Sequence, residues 1–125
     1  MISTLIVCVL ISVSGIAQSK VNWMSWDEAV AANEKNPKMI FVDTYTDWCG
    51  WCKKMDAGTF SDPVISKYMN ENYYSIKMDA EMKDTINFNG YQFVNPNPDR
   101  KRSTHQLAAS LLDNKLSYPS FVILT

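Results

Sequence analysis

Apolar runs and amphipathic segments alternate along the chain after residue 20. Residues 39–42 are apolar without interruption and follow the turn signal Asn36-Pro37. Such a run is typical of a strand buried on both faces, as in a parallel sheet. Residues 73–79 (YYSIKMD) alternate well enough for a second strand, and the apolar run 121–124 predicts a third. Residues 21–26 are mixed in character and predict a short edge strand.

Three segments carry the signals of a helix. Ser25 and Glu28 have the spacing of a capping box, and Asp62-Pro63 places a capping side chain before a proline in the first turn. Residues 103–112 form the third predicted helix. The expected apolar faces are Trp26, Val30 and Ala31 in the first helix, Val64, Ile65, Tyr68 and Met69 in the second, and Leu107, Leu111 and Leu112 in the third. Strands that alternate with helices predict a layered α/β domain.

Residues 82–102 depart from this alternation, because they contain Asn-Gly, Asn-Pro-Asn-Pro and the basic run 100–102. They predict an exposed loop insertion with a hairpin around Asn89-Gly90, and the basic run is expected to be solvated.

The chain has 125 residues, which supports one domain with one core. It carries 12 Lys+Arg against 13 Asp+Glu, and this balance argues against nucleic acid or an anionic membrane surface as the main partner.

The first 17 residues (MISTLIVCVLISVSGIA) contain no charged side chain. Their apolar run, followed by the small residues Gly15 and Ala17, indicates a secretory signal peptide that is cut after Ala17. The alternative is an uncleaved N-terminal membrane anchor, although the run is shorter than the ~20 residues of a usual span. A cleaved signal peptide implies an exported, periplasmic protein. Cys8 would leave with the peptide, and residues 18–125 would keep two cysteines in an oxidising compartment.

The candidate chemistry lies in residues 47–53 (DWCGWCK), directly after the first predicted buried strand. Cys49 and Cys52 are separated by two residues at a predicted helix start, so they can close a small disulfide ring. Backbone N–H groups and the helix dipole at that position favour a thiolate, which predicts a lowered pKa for Cys49 as the attacking thiol. Cys52 lies one turn into the helix and is expected to be less exposed and to act as the resolving thiol. Lys53 and Lys54 add positive charge nearby.

Other uses of two cysteines at this spacing fit less well. A structural zinc site needs four ligands, and residues 18–125 offer two cysteines and His105. A c-type haem needs a histidine directly after the second cysteine, where Lys53 stands. An inert structural disulfide stays open, although so small a loop would restrict the unfolded chain little. We therefore expect no metal, and no cofactor besides a redox-active Cys49–Cys52 disulfide.

Together with their flanks, these residues resemble the thioredoxin fold, and more closely the exported thioredoxin-like proteins that carry WCGWCKKM where thioredoxin has WCGPCK. The segments MIFVDTYTDWCGWCKKM, FSDP, KMDAE and HQLAASLLDNKLSYPSFVIL follow that pattern in order over about residues 25–125. The resemblance implies a three-layer α/β sandwich with a central mixed sheet. In thioredoxin folds a further strand and a helix follow the strand that 121–124 matches, so the domain at 18–125 is expected to be C-terminally incomplete, with an unprotected edge strand.

The resemblance also implies roles for Asp43, Tyr118 and Pro119. Asp43 lies where thioredoxins keep a buried acid beneath the disulfide, and burial would raise its pKa and let it take the proton of Cys52. Pro119 matches the cis-proline that faces the active site, and Tyr118 before it would offer its backbone N–H and C=O to an extended substrate segment. The open alternatives are an Asp43 that caps a turn and an ordinary trans-proline at a strand start.

Trp48 and Trp51 flank the two thiols. They are expected either to form an exposed aromatic collar that binds apolar client segments or to be partly packed support. Trp51 replaces the thioredoxin proline within the CxxC sequence, so the redox potential does not transfer by analogy. His105 is expected to be structural, because nothing in the sequence places its imidazole against Cys49.

The predicted function is that of an exported thiol–disulfide oxidoreductase. Cys49 attacks a client disulfide, Cys52 displaces the reduced client, and Asp43 takes up a proton. Its partners would be client proteins with disulfides or thiols and an exported or membrane-embedded redox partner. The alternative is a non-catalytic module that binds peptides or proteins and keeps Cys49–Cys52 as a fixed structural disulfide.

Overall fold

The computed structural model describes residues 20–125, so the predicted signal peptide at 1–17 and Cys8 lie outside the described residues. Within the described part of the chain, no helix is both long and apolar enough to cross a lipid bilayer. The elements in chain order are β1 (Trp23–Met24), α1 (Trp26–Lys35), β2 (Met39–Tyr45), α2 (Gly50–Ala57), a 3-10 turn (Thr59–Ser61), α3 (Pro63–Asn72), β3 (Tyr73–Asp79), β4 (Ile86–Phe88), β5 (Tyr91–Phe93), α4 (Gln106–Leu111) and β6 (Ser120–Leu124).

Four strands form a mixed sheet in the order β1-β3-β2-β6. β3 pairs in parallel with both β1 and β2, whereas β6 runs antiparallel to β2. The apolar run at 39–42 therefore lies in an internal strand, but the expected burial on both faces is only partly correct, because Ile40 and Val42 are buried whereas Phe41 is half-buried and Met39 is exposed. The predicted α/β architecture with a central mixed sheet is confirmed.

Strand alternation divides the sheet into two unlike faces. On the core face, Ile40 and Val42 of β2 and Ile76 and Met78 of β3 form one buried cluster. Helices α1 and α4 cover this face through Trp26, Ala29, Leu107 and Ala108. Burying each large apolar side chain of this cluster stabilises the fold by about 1.5–3 kcal/mol relative to leaving it exposed.

The opposite, active-site face is covered by α2, the 3-10 turn and α3. Phe60 and Met69 form a small buried cluster there with Val21, and Phe41 and Met55 pack against it. Helices on both sides of one sheet make three layers, as the resemblance implies. This face also carries the charged side chains described below.

Local capping signals place the starts of α1 and α3 where the sequence predicts them. The backbone N–H of Glu28 donates to Ser25 Oγ at 3.2 Å, and the Ser25 N–H donates to the Glu28 carboxylate at 3.5 Å. Asp62 Oδ1 accepts from the N–H groups of Val64 and Ile65 at 2.9 and 3.1 Å. Each cap satisfies helix N–H groups that would otherwise lack partners and contributes about 1 kcal/mol.

The predicted apolar faces of the helices are only partly correct. In α1 the buried alanine is Ala29, whereas Ala31 is exposed. In α3 only Ser66 and Met69 are buried, while Val64 and Tyr68 are 76% and 58% exposed. The reason is that the main neighbours of α3 are β3 and the 3-10 turn, so only a narrow stripe of the helix is covered. Helix α4 begins at Gln106 instead of 103, and Leu111 and Leu112 are half-buried.

The 82–102 segment contains the predicted hairpin but is not simply an exposed loop. β4 and β5 are joined by Asn89 and Gly90, whose φ angles of 55° and 80° are both positive, as a tight two-residue turn requires. Ile86 is buried in the core cluster. Asn95 is buried as well, and its Nδ2 donates to the carbonyls of Met82 and Ser103 at 3.1 and 2.9 Å. The segment is therefore fixed to the domain by apolar packing and by a buried amide.

Candidate active site

Cys49 and Cys52 form a disulfide at the N-terminus of α2, with their Cα atoms 5.3 Å apart. Cys49 is the N-cap residue of this helix, and its Sγ accepts a hydrogen bond from the Cys52 N–H at 3.1 Å. In the reduced protein the same N–H would face a thiol or thiolate at that position. A backbone donor and the positive end of a helix dipole both favour negative charge on a sulfur at such a position.

The exposure of the two cysteines differs less than the sequence predicted. Cys49 is 5% exposed and Cys52 is 3% exposed, so both count as buried in the disulfide form. The flanking Trp48 and Trp51 are 52% and 68% exposed. Both indoles therefore present exposed surface next to a buried disulfide, and their binding of client segments stays a prediction.

Trp48 is held by three neighbours. Its indole N–H donates to the Glu81 carboxylate at 2.6 Å, the Arg102 guanidinium lies 4.8 Å from its ring centroid, and the edge of Tyr118 meets it at 5.9 Å. Trp51 contacts the Lys54 ammonium, which lies 4.4 Å from its ring centroid. Sequence reasoning did not find Glu81 or Arg102, since they come from distant parts of the chain.

The peptide bond between Tyr118 and Pro119 is cis, in agreement with what the resemblance implies. This bond precedes β6, and the contact between Tyr118 and Trp48 places it beside the segment that carries the disulfide. The structure thus brings Tyr118 and Pro119 together with the CxxC sequence, from which they are separated by more than sixty residues.

Asp43 lies on the active-site face of β2 and is 1% exposed. It is paired in register with Lys77 of β3, and its Oδ2 lies 3.1 Å from Lys77 Nζ, while its Oδ1 has no hydrogen-bond partner. Desolvation by burial raises the pKa of Asp43 above the usual value of 3.8, although the Lys77 charge opposes this effect and the Asp56 charge adds to it. The structure therefore places a buried carboxyl of raised pKa on the strand that leads into the disulfide.

Lys77 is a member of the site that sequence reasoning missed. Its ammonium contacts the carboxylate of Asp56 on α2 as well as that of Asp43. The rings of Trp23 and Tyr45 each lie 5.1 Å from it. Two signals could have pointed to this cluster: a lysine within the strand predicted at 73–79, and Asp56 four residues after Cys52, on the same side of the helix.

His105 lies outside this cluster and has a structural role, as expected. It is fully buried and is the N-cap residue of α4, where its Nδ1 accepts from the Leu107 N–H at 3.2 Å. Its Nε2 lies 2.9 Å from the carbonyl oxygen of Asp84. Among residues 20–125, no three His, Cys, Asp or Glu side chains gather in a group that could hold a metal ion.

A family model named Thioredox_DsbH, with the description "Protein of unknown function, DUF255", matches residues 12–97. The chain is similar to spermatogenesis-associated protein 20 of Rattus norvegicus, at 31% identity over 71 residues, or 56% of this chain and 9% of that protein. It is also similar to the thiol:disulfide interchange protein DsbD of Pectobacterium atrosepticum, at 38% identity over 40 residues, or 32% of this chain and 7% of that protein. The chain thus spans less than a tenth of the length of these two relatives.

Among solved structures, the chain is similar to a thioredoxin from Thermus thermophilus, with a TM-score of 0.58 and 18% identity. That match covers 87% of this chain and 66% of the thioredoxin. At this identity the match supports the fold alone, and it agrees with the three-layer α/β sandwich described above.

Proposed function

Because the chain belongs to the thioredoxin-like family whose model matches residues 12–97, we propose that it is an exported thiol–disulfide oxidoreductase that exchanges disulfides with client proteins. The observation that carries the proposal is the Cys49–Cys52 disulfide at the start of α2, where the Cys52 N–H donates to Cys49 Sγ. A fold of this family with such a disulfide supports a redox role. The similarity to DsbD, a thiol:disulfide interchange protein, points the same way.

The first step starts from the reduced protein. The Cys49 thiolate attacks one sulfur of a client disulfide, so that a Cys49–client disulfide forms and the other client sulfur leaves as a thiolate. The helix N-terminus favours the attacking form of Cys49 because it stabilises negative charge on that sulfur.

The second step resolves the mixed disulfide. Cys52 loses its proton to Asp43, attacks Cys49 Sγ and closes the Cys49–Cys52 disulfide, while the second client sulfur leaves as a thiolate. Asp43 suits this task because burial raises its pKa towards the range in which a carboxylate can accept a proton from a thiol. The reverse sequence oxidises a client dithiol, so the redox partner decides the net direction.

The client segment would lie along Tyr118 and Pro119. In this proposal the backbone N–H and C=O of Tyr118 pair with an extended client segment as an added strand. The exposed faces of Trp48 and Trp51 supply apolar contact area on either side of the disulfide. The contact between Tyr118 and Trp48 supports this arrangement, because it joins the two surfaces.

Export to the periplasm rests on the signal-peptide pattern of residues 1–17, with an N-terminal membrane anchor as the alternative. A reductive role outside the cytoplasm requires electrons from an exported or membrane-embedded redox partner, since that compartment maintains no reducing thiol pool. We propose such a partner together with client proteins, and no nucleic acid or metal.

Substitution of each cysteine tests the proposed roles. Cys49→Ser should reduce insulin disulfides, with dithiothreitol as electron source, no faster than the protein-free baseline, because the attacking sulfur is gone. Cys52→Ser should still attack but should accumulate a mixed disulfide, which mass spectrometry detects. Lys35→Gln, at the exposed end of α1, is the matched control and should keep the original rate. Full activity of Cys49→Ser would falsify the assignment of the attacking thiol.

A non-catalytic binding module is the second candidate, and the burial of both cysteines is the observation that favours it. A fixed structural disulfide should resist millimolar dithiothreitol under native conditions. The proposed enzyme should instead be reduced readily and should then expose a Cys49 thiol whose pH profile of alkylation gives a pKa below ~8.5, the value of a free thiol. The two functions therefore separate in one alkylation experiment.

A further inference from the structure

Each exposed tryptophan beside the disulfide carries a cation on its ring. Arg102 lies 4.8 Å from the ring centroid of Trp48, and Lys54 lies 4.4 Å from that of Trp51. We call these four residues the cationic rim. Both distances are within the range of a cation–π contact, which holds a mobile cationic side chain near one place. The recessed disulfide therefore lies between two aromatic surfaces that each hold a positive charge.

Arg102 is placed by the 82–102 segment. Its φ angle is 58°, in the left-handed region that non-glycine residues seldom adopt. The neighbouring Ser103 is fixed by Asn95, whose Nδ2 donates to the Ser103 carbonyl at 2.9 Å and whose Oδ1 accepts from Ser103 Oγ at 2.6 Å. The buried amide thus anchors the turn from which the guanidinium reaches the active-site tryptophan.

Acidic side chains lie near the cationic rim, but they are placed differently. The Glu81 carboxylate accepts the indole N–H of Trp48 and so lies at the edge of the ring. A cavity of about 750 Å³ adjoins Trp48 and is lined by side chains of both signs, among them Asp47, Glu81 and Arg102. The cation over the Trp48 ring therefore lies at the edge of a cavity of mixed charge, whereas Trp51 and its cation Lys54 lie outside that lining.

Resting on the proposed function, we propose that the cationic rim selects client segments that carry acidic side chains next to the target disulfide, with Arg102 and Lys54 as specificity-determining residues. A segment that pairs with the backbone of Tyr118 passes Trp48, because the two rings are in contact. An acidic side chain on that segment would meet the Arg102 guanidinium, and one on the other side of the disulfide would meet Lys54. Opposite charges speed the encounter and favour the bound register.

The test uses two peptides of equal length that each contain one cysteine joined to 2-mercaptoethanol as a mixed disulfide. One peptide has glutamates next to the cysteine and the other has lysines. Reduced protein converts either disulfide into two thiols and becomes oxidised itself. The acidic peptide should react about tenfold faster at low ionic strength, and the ratio should approach one near 1 M salt, where charges are screened beyond about 3 Å.

Substitutions of Arg102 and Lys54 test whether these two residues produce the preference for the acidic peptide. Arg102→Gln and Lys54→Gln should each lower the ratio of the two rates about two- to fourfold, in keeping with the modest strength of exposed charge pairs. Arg102→Glu should move the ratio towards the basic peptide. Lys35→Gln removes one positive charge at the end of α1, which precedes β2, whereas the disulfide follows β2. This control variant should leave the ratio of the two rates unchanged.

The outcomes separate this inference from the proposed function. If neither peptide reacts, the oxidoreductase function and the inference both fail. If both peptides react at equal rates, or if the basic peptide is preferred, the function stands and the inference is wrong. A preference for the acidic peptide that Arg102→Gln and Lys54→Gln leave intact would overturn the assignment of these two residues.

Discussion

Alternate residues of β2 and β3 form two different environments, an apolar core on one face of the sheet and a charged cluster on the other. On the core face, Val42 and Ile76 are almost completely buried in an apolar cluster. On the active-site face, the neighbours Asp43 and Lys77 form an ion pair beneath α2, and Asp56 joins it. Adjacent residues of β2 and of β3 therefore belong alternately to the stabilising core and to the proposed redox site.

This difference shows how a small domain remains stable although burying the Asp43 carboxylate costs free energy. Removing a carboxylate from water costs several kcal/mol unless a partner compensates, and Asp43 has only one of its oxygens paired. The apolar face offsets that cost through the burial of large aliphatic side chains. Substitutions on the two faces should therefore change the free energy of unfolding by different amounts, in different directions and with a different dependence on pH.

The largest effect is expected on the core face. Ile76→Ala removes buried methyl groups next to Val42 and leaves a cavity, so it should lower the free energy of unfolding by about 2–4 kcal/mol. Urea unfolding followed by circular dichroism measures this loss, which should be the same at pH 5 and pH 8. Ile123→Ala is the matched control at a position that is 51% exposed, and it should cost far less. Equal losses for the two variants would contradict the division between the faces.

A smaller, pH-dependent effect is expected from Lys77→Met. The substitution removes the charge that holds down the pKa of Asp43, so burial raises that pKa further and the carboxylate lacks its partner. The free energy of unfolding should fall by about 1–3 kcal/mol at pH 8, and by less at pH 5, where Asp43 protonates more readily. Lys67→Met breaks the exposed pair with Glu71 and serves as the control, with an expected change near zero. A loss that is independent of pH would argue against the coupling of Lys77 to Asp43.

The smallest effect has the opposite sign. The folded-state pKa of Asp43 lies above 3.8, so the folded protein binds this proton more tightly than the unfolded chain does. Stability linked to Asp43 is therefore fully present below the unfolded pKa and is lost as pH rises through the folded pKa. Asp43→Asn should raise the free energy of unfolding by about 1 kcal/mol at pH 8, and the gain should vanish near pH 4.

Asp99→Asn is the control for this last prediction, because it replaces an exposed carboxylate in the same way. It should change the unfolding midpoint little at either pH. A destabilisation by Asp43→Asn at pH 8 would mean that the ion pair with Lys77 outweighs burial. In an activity assay the same variant should slow the resolution of the mixed disulfide, since Cys52 loses its proposed proton acceptor.

Much of the fold could be predicted because its signals are local. Capping at Ser25 and Asp62 and the hairpin at Asn89-Gly90 each depend on residues within about four positions of one another. The spacing of Cys49 and Cys52 at a helix start is local in the same sense. The alternation of strands and helices then sufficed for the α/β class.

The predictions that failed concern which side chains of a helix or loop are buried against neighbouring elements. Hydrophobic periodicity placed Val64 and Tyr68 on the apolar stripe of α3, yet both are exposed because the main neighbours of this helix, β3 and the 3-10 turn, cover only a narrow stripe of it. The turn sequences and the basic run predicted an exposed loop at 82–102, whereas Ile86 and Asn95 are buried. Burial depends on which elements pack together, and periodicity within one segment carries no information about that.

The amino-acid sequence by itself determined the position of the dithiol, the capped helices and the residues that alternate on each strand, because these depend on short-range backbone geometry. Only the tertiary structure decided that Lys77 meets both Asp43 and Asp56, and that Arg102 reaches Trp48. Those contacts join residues that are 21 to 54 positions apart in the chain. They arise from the order of the strands and from the path of the 82–102 segment, which bring distant side chains within range of one another's charge.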